Sequence, residues 1–459
     1  MAAGAGSITP SMPAPRPPRR RAILAAAGAS VLPACASEPP LRLPPGRPWI
    51  PARPPTPVLP GGLGVADERL VKNSHPFFIH GFNHWAAATL ARDDIPAGWD
   101  GVRRDLDDLQ SIGTNVVRVF CGGEGPNDFY PSLAPTLQPA PGEFDPKGVA
   151  ALHRLVEELE RRDLHAILVL TNFHPWSGGL PQYMTWADRA PPGPATTRWM
   201  TNYRLWPFTS RFYEVAAATA AFAAFVRFLV PQFRGSRAVI WELCNEARGF
   251  DSQTAPFDSW IAGTAALVKS LAPAQLVTTG SHGNLGIGEG NSVVHDHESP
   301  HVDFVTFHLW PPFWDQDGVR PPGNPQDLDS AEVRIRWHVE RATRIGKPVV
   351  LEAFAYGRDG FGLEPGTPTL HRDRYFDFVY GLRHELAADT TMAGLLPWAW
   401  GGDRRPPRPP EAWRPGDPLG GDALDEPQGR ASVYRVDSTL AIIKAWAARP
   451  VTGTRRKST

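Results

Sequence analysis

Two glutamates stand where apolar runs would otherwise exclude charge. One run, Trp241-Glu242-Leu243-Cys244-Asn245-Glu246-Ala247-Arg248, ends on an Asn-Glu pair; another, Lys347-Pro348-Val349-Val350-Leu351-Glu352-Ala353-Phe354, carries Glu352 inside it. A charge within such a run is costly unless it has a partner or a task. Arg118 lies within Val116-Val117-Arg118-Val119-Phe120, and a buried guanidinium normally implies a nearby carboxylate. His308 closes a fourth run and leads into Leu309-Trp310-Pro311-Pro312-Phe313-Trp314. Alone, Glu246 reads as a solvated loop carboxylate. Two carboxyls facing each other across a cleft, however, are the minimum for cleaving a glycosidic bond. One protonates the leaving oxygen while the other attacks the anomeric carbon, and a separation of about 5–5.5 Å implies retention.

Such residues must be positioned, and the chain alternates short apolar runs with helix-like segments. The runs are Phe77–Asn83, Asn115–Phe120, His165–Thr171, Ala238–Cys244, Gln275–Thr279, Asp303–His308, Pro348–Phe354 and Ala393–Trp400. Most are rich in Val, Ile, Leu or Phe, as strands buried on both faces should be. Between them Asp100–Ile112 sets Val102, Leu106, Leu109 and Ile112 on one stripe, with Gly113 as a stop. Val149–Arg162, Phe212–Val230, Trp260–Leu271, Ala331–Ile345 and Arg372–Ala388 behave alike, and Ser438–Ala448 closes the series. The stretch between the fifth and sixth runs has no clear helix. Eight strands with intervening helices predict a single (β/α)8 barrel with long loops, whose chemistry sits at the carboxyl ends of the strands.

Aromatic residues gather at those ends. Trp85, Trp176, Trp186, Trp310, Trp314, Trp398 and Trp400 lie at or just beyond them, and indole faces can serve as platforms for the apolar faces of sugars. Of these, Trp85, Trp176, Trp310, Trp398 and Trp400 are the candidate substrate-binding residues. His295-Asp296-His297 could be a metal-ligand cluster, but such runs are more often loop hydrogen bonders, and no metal or other cofactor is implied.

The ends of the chain read differently. Arg19-Arg20-Arg21, the small apolar run Ala22–Ala34 and then Cys35 have the parts of an export signal. Leu32-Pro33-Ala34-Cys35 resembles a bacterial lipobox, which would make Cys35 a lipidated first residue. Residues 36–60 contain 10 prolines, an extended spacer that cannot pack. The expected organisation is therefore an export signal with lipobox over 1–35, a Pro-rich linker over 36–62, the barrel over 63–450 and a basic tail over 451–459. Localisation would be exported, with a lipid anchor holding the protein to a membrane in the periplasm or on the cell surface. The 47 basic and 47 acidic residues cancel, which argues against nucleic-acid binding. Three cysteines in 459 residues exclude a disulfide scaffold, and no apolar run reaches the ~20 residues of a spanning helix.

From Phe77 to Trp446 the chain resembles glycoside hydrolase family 5, within it the bacterial endo-β-1,4-mannanases. The likeness rests on ordered pieces: Gly81-Phe82-Asn83-His84-Trp85, Asn115-Val116-Val117-Arg118, Trp176-Ser177-Gly178-Gly179, Asn245-Glu246, His308-Leu309-Trp310-Pro311, Lys347-Pro348-Val349-Val350-Leu351-Glu352, Trp398-Ala399-Trp400-Gly401-Gly402 and Glu426-Pro427-Gln428-Gly429. The resemblance implies a retaining hydrolase of mannan, glucomannan or galactomannan. Glu246 would be the acid/base and Asn245 would bind the 2-hydroxyl. Arg118 would hold the nucleophile ionised, His308 would line the −1 subsite and Trp398 would be its floor. The seventh strand departs from the family's Glu-Glu-Phe-Gly, because Glu352-Ala353-Phe354-Ala355 sets Ala353 in the nucleophile column. Successive strand residues point to opposite faces, so Glu352 can replace it only through a slip, bulge or twist. Three readings follow: a mannanase using Glu352, a mannan-binding pseudoenzyme or surface carbohydrate-binding protein, and a changed reaction such as inverting attack by water beside Ala353.

Overall fold

The computed structural model describes residues 57–127, 133–189, 205–250, 254–283, 292–310, 322–364 and 366–451. The export segment, Cys35, most of the proline spacer, most of the basic tail and Trp314 lie outside these residues. All eight apolar runs are strands of one parallel sheet: β1 Ile79–Asn83, β2 Val116–Phe120, β3 His165–Val169, β4 Val239–Glu242, β5 Val277–Thr278, β6 Val305–Leu309, β7 Val349–Phe354 and β8 Met392–Pro397. Their spatial order is β5-β4-β3-β2-β1-β8-β7-β6. Asp303 N–H donates to Val277 O at 2.8 Å and His308 N–H to His282 O at 3.1 Å across the seam between β5 and β6. The sheet thus curls into the (β/α)8 barrel that the alternation of runs predicts.

Besides two short helices, Ala87–Leu90 and Gly179–Trp186, the described helices are α1 Gly98–Ser111, α2 Pro146–Arg161, α3 Ala216–Leu229, α4 Thr254–Leu271, α5 Gln326–Arg344, α6 Leu370–Asp389 and α7 Thr439–Ala447. On α1 the expected stripe Val102, Leu106 and Leu109 is buried. Helix α2 starts where its residues dictate: the Asp145 side chain accepts from Lys147 N–H and proline follows at the first position. Several boundaries differ from expectation, the largest at α4, which begins at Thr254 rather than Trp260. Helix α5 begins at Gln326 rather than Ala331, and Phe212 belongs to a 3₁₀ turn, Ser210–Glu214, ahead of α3. Between β5 and β6 the one helical piece among the described residues is the 3₁₀ turn His295–His297. The stretch Ala216–Phe233 is long and apolar enough to cross a membrane, yet Phe222, Phe225, Val226 and Leu229 on it are buried in the core.

The barrel interior is layered. Ile79, Val116, Ile167, Ile240, Leu276, Phe304, Val350 and Leu396, one from each strand or its flank, form an apolar plug with Leu63 and Leu70 of the N-terminal hairpin. Above the plug the inward residues turn polar: Asn83, Arg118, Glu242, Thr278, Thr306 and Glu352 are all fully buried. Moving from the plug to the mouth therefore moves from dispersion packing to a network of charge.

Candidate active site

Strand β7 holds the feature on which the site turns. Against β6 its register runs Leu351 to Phe307, Ala353 to His308 and Phe354 to Leu309. Against β8 it runs Leu351 to Leu395 and Phe354 to Pro397. Against β6 Glu352 is the extra residue, and against β8 Glu352 and Ala353 together stand opposite Leu396, so Glu352 sits in a β-bulge, a device that re-aims side chains at strand ends. Val350 faces the plug and Phe354 packs outward on Phe376 and Tyr380 of α6, with ring centroids 5.0 and 6.2 Å away. Between them Glu352 turns inward and Ala353 stands level with His308 at the mouth. A slip, bulge or twist was the condition for Glu352 to replace the residue at Ala353, and of these a bulge is present.

Asn83 on β1 holds it there. Its amide nitrogen donates to Glu352 O at 2.9 Å and to Pro397 O at 3.1 Å, while its oxygen accepts from Arg118 Nη1 at 3.0 Å. The Glu352 carboxyl then lies 3.8 Å from Arg118 Nε and 3.7 Å from His308 Nε2. Neither of its oxygens has a hydrogen-bond partner among the described residues.

Arg118 gives its donors elsewhere. Nε and Nη2 grip Glu242 at 2.6 and 2.5 Å, and Nη2 also reaches Asn245 Oδ1 at 2.8 Å. This forked geometry is the strong form of a carboxylate pair. Burial pushes Glu242 up to about 7; Arg118 opposes that rise and Glu352 adds to it. Gly280, at φ +76°, makes the fork possible, since a Cβ there would stand 2.3 Å from Glu242 Oε1.

Glu246 is built in the opposite way. Its backbone sits at φ +53°, where side chains other than Asn and Asp are uncommon. Its carboxylate accepts from His308 Nδ1 at 2.7 Å, Arg248 Nη2 at 2.8 Å, His174 Nε2 at 2.9 Å and Trp310 Nε1 at 3.2 Å. Burial alone would raise it, but His174, His308 and Arg248 together hold it well below the usual carboxylate range. His308 moves up, because the carboxyls of Glu246 and Glu352 flanking it outweigh its own burial. Arg248 is fixed in turn, with its guanidinium carbon 4.0 Å over the Trp206 ring.

The tryptophans divide. Trp398 and the half-buried Trp310 meet edge to face, centroids 6.4 Å apart, beside Glu246. Trp85, Trp176 and Trp400, expected as sugar platforms, lie in the core instead. Trp85 donates to Gly421 O at 2.7 Å and packs on Trp176, which also touches Phe120; Trp400 packs on Phe82. Each is buried, at most 3% exposed. Trp186 packs on Tyr183. The loop over 403–428 is tied to the barrel through Gly421 N–H to Trp400 O and an Arg404–Asp105 ion pair. Asp296 accepts from Ser281 Oγ at 2.6 Å, and His297 pairs with Thr279 Oγ1 at 2.7 Å. Asp296 and His297 thus hydrogen-bond to the loop that follows β5.

The arrangement is matched across most of the chain by one family. A model described as glycoside hydrolase family 5, β-mannosidase-like, covers residues 63–453. The chain belongs to glycoside hydrolase family 5. Within that family it is similar to mannan endo-1,4-β-mannosidase A of Podospora anserina, 26% identical over 355 residues that cover 73% of this chain and 82% of that protein. It is 24% identical to mannan endo-1,4-β-mannosidase 1 of Arabidopsis thaliana over 372 residues, 74% of this chain and 82% of the relative. Among solved structures, the family 5 mannosidase of Rhizomucor miehei superposes with a TM-score of 0.75 at 26% identity, covering 85% of this chain and 97% of its own. The chain is thus a family 5 glycoside hydrolase of the mannosidase and mannanase type.

The structure brings together Glu246, Asn245, Arg118, His308, Trp310, Trp398 and, through the bulge, Glu352. Sequence reading missed Glu242, His174 and Arg248 as members of this network. Glu242 carried the same signal as Glu352, a charge within an apolar run. Arg248 stands two residues from Glu246, but its neighbour Trp206 could not be foreseen.

Proposed function

We propose that this protein hydrolyses β-1,4-linked mannosyl chains with retention, using Glu352 as the nucleophile and Glu246 as the acid/base. The observation that carries the proposal is the bulge. It turns Glu352 into the barrel beside Arg118 and His308 and leaves both carboxylate oxygens uncommitted. A Glu352 oxygen attacks the anomeric carbon as the glycosidic C–O bond breaks. The leaving oxygen takes the proton that the Glu246–His308 pair holds between Oε1 and Nδ1. Water then attacks the same carbon, gives a proton to Glu246, and the Glu352 ester breaks. Trp398 and Trp310 offer the corner on which the sugar rests, and Asn245 stands where the 2-hydroxyl would bind. Mannan, glucomannan and galactomannan all fit this class of substrate.

A second reading has its own observation. Ala353, not Glu352, is level with His308, and Glu352 is 0% exposed against 7% for Glu246. On that reading the protein binds mannan without turnover. Reducing-end release from mannan by the unmodified chain separates the two, since ordinary rates support hydrolysis and binding alone supports the alternative. NMR of fresh digests reads the anomer, and an inverted first product would replace both with attack by water.

Export and anchoring through Cys35 complete the proposal. Cys35→Ser should move the protein from the membrane to the soluble fraction, and unchanged partition would contradict the anchor.

A further inference from the structure

Arg383, towards the end of α6, is 2% exposed and carries a charge that no neighbouring carboxylate offsets. Among the described residues none lies within ion-pair distance of it. The other acids near that side of α6 are spent elsewhere: Asp373 accepts from Thr439 Oγ1 at 2.6 Å, Asp377 from Trp446 Nε1 at 2.7 Å and Glu385 from Arg336 Nη2 at 2.9 Å. What Arg383 does meet is a base and a ring. Its Nη2 donates to His80 Nε2 at 3.3 Å, and its guanidinium carbon lies 5.1 Å over Phe78. A guanidinium keeps its charge when buried, and a buried charge is costly without a counter-charge.

The groups around it are also unsatisfied. Ile79 faces the plug, so His80, next on β1, faces the helices. Because His80 Nε2 accepts from Arg383, its Nδ1 carries the hydrogen. That N–H is buried without a partner among the described residues, as are Arg383 Nε, His384 Nδ1 and the Tyr380 hydroxyl. Burial, with Arg383 and His384 beside it, pushes His80 down to about 3, so it stays neutral. Burial lowers Arg383 only to about 10, which leaves it charged at neutral pH. A second cation, Arg449, stands with its guanidinium carbon 3.8 Å over the Trp446 ring of α7, and that ring packs on His384 with centroids 5.6 Å apart. His80, His384 and Trp446 are half-buried, so the cluster reaches the surface at the amino end of β1, the end opposite the active-site mouth.

We propose that Arg383 and His80, with His384 and Arg449 at the rim, form a binding site for a small oxyanion of the phosphate class. The anion supplies the counter-charge that Arg383 lacks, and the spare N–H groups of Arg383 and His80 are its donors. Two cations and more than one spare donor suit an anion with several oxygens. The recess of Arg383 favours a free anion over a lipid headgroup held in a bilayer. The site stands apart from the catalytic carboxyls and does not depend on the hydrolytic reading.

Calorimetric titration of the full chain with inorganic phosphate, chloride balancing the ionic strength, tests this. One phosphate should bind per chain, and thermal melting should rise with phosphate and saturate. Arg383→Met should weaken binding about tenfold or more, the scale of losing charge-assisted hydrogen bonds. Arg383→Lys keeps a cation but not the planar fork; it should bind phosphate less tightly than wild type, and it serves as the test if the Met variant does not fold. Phosphatidylglycerol vesicles should bind wild type and the Arg383 variants alike. No saturable response in the wild type, or an equal response in the variants, would overturn the site. Vesicle binding that requires Arg383 would overturn its assignment to a free anion.

Discussion

Two carboxyls face one imidazole and are treated in opposite ways. Glu246, at the end of β4, is caged by four N–H donors and held far below the usual carboxylate range. Glu352, on the β7 bulge, receives no hydrogen bond, although charge stands on two sides of it. A buried polar group without a partner is costly, so the fold supports Glu352 from its backbone, through Asn83, rather than through its carboxylate. The contrast teaches a division of labour. On the proposed roles, the group that would exchange protons is surrounded by donors, whereas the group that would form a covalent bond is kept bare.

The sharpest way to break the comparison is to remove one partner at a time. Glu352→Ala should lower kcat on mannan on the order of 10⁴-fold or more, as loss of a nucleophile does. Glu246→Ala should cost about 10²–10⁴-fold, the usual share of general acid/base catalysis. A reducing-sugar assay reads both, and equal small losses would remove the assignment. Ala353→Glu places a second carboxyl beside the first. In this variant kcat should fall roughly tenfold or more, because like charges so close disfavour joint ionisation; a gain of turnover would favour the binding reading.

Arg248→Met opens the cage around Glu246 alone. Its charge-assisted hydrogen bond should contribute about 1.5–3 kcal/mol to stability. The sign follows from the depressed value of Glu246: stability is fully present above the ordinary carboxylate range and is lost as pH falls through the folded-state value. The difference in stability between wild type and Arg248→Met should therefore be greatest above roughly pH 5 and shrink in acid. Denaturant melts at several pH values check this, and a difference independent of pH would contradict the cage. The smallest effect belongs to Asn83→Ala, which frees the Glu352 carbonyl. It should cost about 1 kcal/mol of stability and lower kcat with little change in KM.

How much of this could be read from the chain follows from the range of each interaction. The barrel was legible because each strand announces itself within a few residues, and the missing helix between β5 and β6 was visible as a gap in periodicity. Glu246, Asn245, Arg118 and His308 were legible because charge and imidazole stood at the ends of apolar runs. That Glu352 could face inward only through a slip, bulge or twist was legible from alternation, but the supporting bond from Asn83 was not, being 269 residues distant in sequence. Trp85 shows the limit most plainly. It stands after a strand as a platform would, yet its indole N–H meets Gly421 O, 336 residues on. Only tertiary packing decides which indole faces are covered. Glu242 was hidden for another reason: one arginine was assigned to one carboxyl, when the fold gives it two.

Under the proposed mechanism Glu352 makes the covalent bond. Incubating the protein with an activated 2-deoxy-2-fluoro-mannoside, whose glycosyl ester hydrolyses slowly, and mapping peptides by mass spectrometry tests it directly. One sugar per chain, attached to Glu352, is the expected result. An unlabelled chain, or a label on any other residue, would contradict it.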